Sequence, residues 1–235
     1  MLDFDFDPSM PEWAKRLATF DLETTGLDLK ESRIVTACVA VLNQNGEVEQ
    51  VSEWLVNPGI EIPEAASNVH GVTTEMARAS GVAPEGAVRE ILETLENLSR
   101  SMPLVAFNAG YDFSILHSEA KRYGFTPLDP KPVIDPLILD RQMVKFRKGK
   151  RTLTALCPDY GVALDNAHNS TADAVAAGRL AQSQSVKFEA LNVPADELHA
   201  SQKVWADEQA LDFEKYMKTQ NRPDFRAELG WPTKF

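Results

Sequence analysis

Two periodicities divide the chain. Between residues 17 and 56, apolar positions come in runs of strand length: Leu17 to Leu22, Arg33 to Leu42 and Glu47 to Val56. Asn43-Gln44-Asn45-Gly46 joins the second run to the third, and its Asn-Gly pair is a hairpin signal. The spacing then becomes helical, with Val88, Ile91, Leu92, Leu95 and Leu98 on one face. Leu104 to Phe107 predicts a short buried strand, and Gly110 to Tyr123 a helix stopped by Gly124. Pro132 to Ile134 predicts another strand leading into a helix through Val144, and Ala172 to Gln184 a further helix. Strands first, then alternating helix and strand, predict an α/β fold: a mixed five-stranded sheet flanked by helices. Beyond Val186, the residues Leu198, Trp205, Phe213 and Tyr216 fall on one side of a predicted helix, which we read as docked on the domain. The expected division is an N-terminal extension over 1–16, a main domain over 17–184 and a C-terminal helical extension over 185–235.

Against this pattern, several acids stand in odd places. Phe20 to Asp28 reads FDLETTGLD, so a core strand ends with Asp21 and Glu23 on one face. Asp112 sits in the first turn of the helix that follows Asn108-Ala109-Gly110-Tyr111, on the face it shares with Ile115 and Leu116. His168 precedes a helix whose first turn holds Asp173, followed on its own face by Ala176, Ala177 and Leu180, an apolar face with two small residues that suits close approach against the sheet. Taken singly, Asp112 and Asp173 read as helix-dipole partners, and Ser170 with Asp173 as a capping arrangement. Asp21 and Glu23 read as solvated at a strand end, and His168 as an ordinary loop histidine.

Gathered at one sheet edge, the four carboxylates carry chemistry instead. Without counter-charge they repel and raise one another's pKa. Oxygen-bound divalent cations resolve this, and magnesium or manganese keep waters and recruit phosphate oxygens. A pair of such ions activates water and stabilises the leaving oxygen in phosphodiester cleavage. His168 is placed to take the water's proton near neutral pH. Zinc fits less well, because no thiolate and only one histidine stand near.

The composition narrows the setting. At 235 residues and 43% hydrophobic, the chain can bury a real core. No uninterrupted apolar stretch reaches the roughly 18 residues of a membrane span, so no membrane association is expected. The start MLDFDFDPSM lacks a signal peptide's basic and apolar regions. With only Cys38 and Cys157, both read as packing residues, a cytoplasmic protein with reduced thiols is expected. A net charge of −11 argues against bulk coating of nucleic acid, though not against a local site whose acids hold cations. Within this acidic chain, Lys145 to Arg151 has five basic residues in seven. It reads either as a solvated loop or as an edge that guides a nucleic-acid strand. Gln209 to Phe213 faintly resembles a sliding-clamp-binding peptide, but such peptides are extended and this one is mid-helix.

The motifs Phe20 to Gly26, Asn108 to Phe113, and His168 with Asp173 resemble, in order, the three exonuclease motifs of the DEDDh family. More narrowly, the chain resembles the proofreading exonuclease subunit of bacterial replicative polymerases and its stand-alone relatives. Asn57 to Pro63 and Val69 to Thr73 resemble that subfamily's segment between the first two motifs. The similarity spans about Leu17 to Gln184, and no catalytic position departs from it. The resemblance implies a ribonuclease H-like sheet and two divalent ions, Mg2+ or Mn2+. Asp21 would bridge both ions, Glu23 and Asp173 would hold the one that activates water, and Asp112 would support the second. Glu23 would also lie near the terminal 3′-hydroxyl. His168 would be the general base. Thr24, Thr25, Gly26 and Leu27 would line the terminal-nucleotide pocket, with backbone amides on sugar or phosphate and Leu27 against a base. His70, Asn108 and Phe113 would be secondary substrate contacts. The implied reaction is release of nucleoside monophosphates from a 3′ end, on DNA and best on single-stranded or frayed ends, in DNA replication or repair, with a polymerase partner possible. An RNA-directed member of the same family is the nearest alternative. A non-catalytic nucleic-acid-binding or polymerase-accessory module is another, but its mark would be a lost carboxylate, and none is missing.

Overall fold

The computed structural model describes residues 9–235. Most of the start on which the leader reading rests, and half of the expected N-terminal extension, lie outside the described residues. A short helix α1 (Glu12–Lys15) leads into β1 (Leu17–Thr24), β2 (Ile34–Leu42) and β3 (Val48–Leu55). Then come α2 (Glu64–His70), α3 (Thr74–Ser80), α4 (Pro84–Ser99), β4 (Leu104–Val105), α5 (Ala109–Arg122), β5 (Val133–Ile134) and α6 (Pro136–Met143). Next are α7 (Leu153–Leu156), with a 3-10 turn at Cys157–Tyr160, and α8 (Ser170–Lys187), with a 3-10 turn at Glu189–Leu191. The long α9 (Ala195–Thr219) follows. The strands form one mixed sheet in the order β3-β2-β1-β4-β5. The first three strands are antiparallel neighbours, while β4 and β5 run parallel to β1. This is the expected α/β architecture, with strand ends within a few residues of those the sequence predicts.

β1 is central and covered on both faces, which is why it opens as a continuous apolar run. Ala18, Phe20 and Leu22 point to the larger core, under α4 and α5. Leu17 and Thr19 point the other way, to α8, so Asp21 and Glu23, two and four residues beyond Thr19, share the α8 face. That helix approaches very closely. A methyl at Gly178 would lie 2.4 Å from Thr19 Cγ2 and 2.5 Å from Leu42 Cδ1. Ala174 packs on Cys38 and Ala40, and Gln182 donates to the carbonyls of Ala14 (2.9 Å) and Asn43 (2.8 Å). The sheet-facing stripe of α8 is therefore offset from the one expected. Ala176 and Leu180 pack instead on Leu153, Leu156 and Tyr160.

The other edge is closed by the C-terminal region. Among the described residues β5 has no strand beyond it, and α9 satisfies its backbone with side chains. Gln202 accepts from the Asp135 amide (2.7 Å) and donates to the Val133 carbonyl (3.0 Å), while His199 Nδ1 accepts from the Val133 amide (3.0 Å). A covered edge cannot pair with another chain. Leu198 is buried and Trp205 half-buried, as a docked helix requires, but Phe213 and Tyr216 remain half-exposed. Trp231 then returns to the main core, and the Lys234 amide donates to Ser114 on α5 (2.9 Å). Cys38 and Cys157 are buried free thiols, as expected. No described helix is long and apolar enough to cross a membrane.

Candidate active site

β4 is only two residues long and pairs with Ala18 and Thr19 alone. Past that point the β4-facing edge of β1 is open, and the Leu22 amide on that edge has no strand partner. Asp112 fills the position: its Oδ1 accepts from Leu22 N at 3.0 Å, between Asp21 and Glu23 in sequence. From the α8 face come Asp173 and, from the loop before the helix, His168. Ligand atoms of Glu23, His168 and Asp173 all lie within 4.8 Å of one another. Asn169, not Ser170, caps α8, accepting from the Ala172 amide at 3.1 Å. His168 stands at φ 68°, in the left-handed region, and its amide donates to Asp173 Oδ2 at 3.1 Å. A non-glycine residue held there at a site is backbone strain that surrounding structure must maintain.

The electrostatics are those of an incomplete site. Asp21 is held well above the carboxylate range, first by burial and then by Asp112, Glu23 and Asp173. Glu23 is raised to about 7 by burial and by Asp173. Burial likewise raises Asp112 and Asp173, although donors at Leu22 and His168 oppose it. Asp21 Oδ2 and Asp173 Oδ1 are buried and meet no donor among the described residues. Buried polar atoms are normally paired, and two orphaned carboxylate oxygens in one acidic cluster call for a cation. A hard, oxygen-seeking divalent ion fits this donor set. Cys38, opposite Asp21 on β2, does not change that, since burial lifts its thiol to about 11 and keeps it protonated.

The turn after β1 is built from within. Tyr111 donates its hydroxyl to the Gly26 carbonyl (2.6 Å) and touches the Thr24 hydroxyl, which also donates to Gly26 O (2.7 Å). Thr25 pairs with Arg33 through its amide (3.0 Å) and through its hydroxyl, which accepts from Arg33 N (3.0 Å). Thr24 and Thr25 are buried, so their side chains and the Thr25 amide shape the turn rather than offer contacts to a substrate. Gly26 and Leu27 are the open positions, with Leu27 85% exposed. His70 lies half-buried beside the Thr24 carbonyl, its Nδ1 accepting from Val72 N at 3.2 Å. It supports the turn from behind. Asn108 is exposed at φ 61° where α5 begins.

Phe113 is a correction. It is 2% exposed, its ring 5.4 Å from that of Phe20, so it packs the core and faces no substrate. Two residues were missed. Tyr111 stands inside the second motif but was given no role. Asp135 is fully buried and accepts from the amides of Asn108 (3.0 Å), Ala109 (2.9 Å) and Leu137 (3.0 Å) and from the Trp231 indole (3.3 Å). It fixes the start of α5, and with it Asp112. Its signal was Asp135-Pro136, a cap followed by proline at the first helical position. The basic run divides in two. Arg147 and Arg151 turn inward onto buried Asp140, leaving Lys145, Lys148 and Lys150 exposed.

Comparison with known proteins agrees with this arrangement. The exonuclease family model matches residues 19–181, and the chain belongs to that family. The matched span contains Asp21, Glu23, Asp112, His168 and Asp173, the residues that carry the DEDDh resemblance. The PolC-type DNA polymerase III of Pediococcus pentosaceus is 29% identical over 161 residues, which cover 68% of this chain and 11% of the relative. That of Streptococcus agalactiae is also 29% identical, over 68% of this chain and 10% of the relative. The chain thus spans about a tenth of the length of these relatives. Among solved structures, Escherichia coli exonuclease I in complex with a dA16 oligonucleotide has the same fold, with a TM-score of 0.66 at 18% identity over 76% of this chain and 42% of that one. The zinc-bound form of that enzyme with single-stranded DNA gives 0.65 at 19% identity, over 75% of this chain and 42% of that one.

Proposed function

We propose that the chain is a 3′–5′ exonuclease that removes nucleoside monophosphates from DNA, preferring single-stranded or frayed ends, with residues 17–184 as the exonuclease domain. The observation that carries this is the meeting of Glu23, His168 and Asp173 within 4.8 Å beside the orphaned Asp21 Oδ2. Asp21, Glu23, Asp112 and Asp173 would hold two divalent ions, magnesium or manganese. When bound, such ions supply a Lewis acid for the phosphate and for the attacking and leaving oxygens. His168, exposed on its strained loop, accepts the proton of the attacking water. Water adds to the terminal phosphorus, the bond to the preceding 3′-oxygen breaks, and a nucleoside 5′-monophosphate leaves. Leu27 and the open Gly26 amide receive the last nucleotide. The PolC-type relatives support a place in DNA replication or repair, with a polymerase partner, and a cytoplasmic setting.

The test compares end-labelled single-stranded DNA, duplex DNA and RNA with magnesium or manganese, using Asp21→Ala as control. Stepwise loss of 3′ mononucleotides from single-stranded DNA is expected. Faster loss from RNA would move the enzyme to RNA trimming, and equal activity of the Asp21→Ala protein would end the assignment.

A further inference from the structure

A groove of about 1170 Å³ reaches the start of α5 at Asn108 and Gly110. One wall is α6 and the loop after it, the other the second half of α9 with the C-terminal tail. Asn108 borders both this groove and a shallower depression that holds Leu27 and Tyr111. The two depressions therefore meet where α5 begins, next to the candidate active site.

The walls differ in chemistry. On the α6 side, Arg141 and Lys145 face the groove; among the described residues neither forms a side-chain hydrogen bond or ion pair, although Asp135 and Asp140 attract Arg141 from a distance. The α9 side carries Phe213, Tyr216 and Phe225, with ring centroids 6.3 Å apart for the first pair and 5.4 Å for Phe213 with Phe225. Asp207, Glu208 and Asp212 stand on the same side and would repel phosphate. A strand in this groove would therefore run its phosphates along α6 and turn its bases to the aromatic wall.

The loop at the groove's edge is pinned. Arg147 donates to Asp140 Oδ1 (2.7 Å) and Oδ2 (2.9 Å), and Arg151 to Oδ2 (2.9 Å) and to the Val144 carbonyl (2.6 Å). On that fixed base Phe146 is 95% exposed, with exposed Lys145 and Lys148 around it. An aromatic ring between free cations, on a loop held in place by other cations, has the makeup of a stacking platform for bases.

We propose that this groove is the track for the single strand on the 5′ side of the end being removed. Phosphates pair with Arg141, Lys145 and Lys148, and bases stack on Phe146 and Tyr216. The direction of the strand rests on the exonuclease reading above. Strand binding itself does not.

The test measures fluorescence anisotropy of 5′-labelled oligothymidylates of about 3 and about 12 nucleotides, a span matched to usual single-strand site sizes. Hydrolysis of an unlabelled dinucleotide with magnesium or manganese is followed in parallel. In Phe146→Ala, the preference for the long strand over the short one should fall about tenfold, the loss of one stacked base. In the Lys145→Glu/Lys148→Glu protein, the salt slope for the long strand should flatten by about 1.4, for two phosphates at about 0.7 each. Both variants should melt as the wild type does, since the altered side chains are exposed. An unchanged long-strand preference, or equal losses for both lengths, overturns the track and leaves the surface to a protein partner. If the wild type binds the long strand through the loop yet never cleaves the dinucleotide, the exonuclease reading fails and the track stands. If it cleaves the dinucleotide and the variants bind like the wild type, the track alone fails.

Discussion

Two of the places where the molecule buries carboxylates treat them in opposite ways. Asp140 is fully buried, and its oxygens accept from Arg147, Arg151 and the Tyr160 hydroxyl (2.7 Å). Burial alone would raise its pKa, but those three donors outweigh it and hold the group below its ordinary value. At the end of β1, among the described residues, no lysine or arginine bonds to the four acids, and His168 alone eases the charge on Asp173. Asp21, Glu23, Asp112 and Asp173 face mostly one another, and all four are raised. Burial is common to both places. The difference is counter-charge, supplied by the chain at Asp140 and left to a ligand at β1. What sets the β1 cluster apart from Asp140 is therefore the missing counter-charge rather than burial itself.

The sharpest break of this comparison is at the unpaired site. Asp21→Ala removes the carboxylate on which Asp112, Glu23 and Asp173 all act, and hydrolysis should drop by roughly a thousandfold or more. His168→Ala should lower kcat by about 10²- to 10⁴-fold, the usual worth of a general base. The rise in Tm on adding magnesium should survive in that variant, because the four carboxylates remain. Loss of the Tm response would recast His168 as a ligand, and an unaltered kcat would require another base.

How much of this could be read from the sequence follows from what is local. Asp21 and Glu23 were legible because a strand repeats every two residues, and spacing alone puts them on one face. Asp112 was legible because Ile115 and Leu116 mark its inward face, and all three are buried. The sheet-facing stripe of α8 was not, because Ala174, Gly178 and Ala181 differ from Ala176 and Leu180 only in which neighbour each side meets. Phe113 failed as a substrate contact for the same reason: membership of a motif does not say which way a ring turns. The inward bonds of Arg147 and Arg151 depend on Asp140 several residues earlier, so a run of basic letters could not show which cations were already spent. Gln202 closing the edge of β5 joins segments 69 residues apart and left no local mark.

The paired site should break through stability instead. Asp140→Ala leaves two arginines, only 11% and 21% exposed, without their carboxylate. A loss of about 3 kcal/mol is expected, as for other buried pairs stripped of one partner. Urea unfolding at neutral pH reads it, with dinucleotide hydrolysis per folded molecule as the contrast. A stability equal to the wild type would mean the pair contributes nothing beyond its desolvation cost.

The smallest effect tests the contrast most directly, since it has opposite signs at the two places. Asp140 has a lowered folded pKa, so its contribution is present above the unfolded value and is lost as pH falls through the folded one. Glu23 is raised to about 7, so its contribution is present at low pH and is lost as pH rises from its ordinary 4.5 through 7. Without divalent ions, Glu23→Gln removes that loss. The variant should therefore melt a few degrees above the wild type at about pH 8, and the gap should close by about pH 5. Magnesium should raise the wild-type Tm more at the higher pH, where Glu23 is charged, and should do less for the variant. Calorimetry across that range decides the matter. A gap that is absent, or that does not vary with pH, would show that Glu23 already has its counter-charge within the protein, and the distinction between the two buried sites would dissolve.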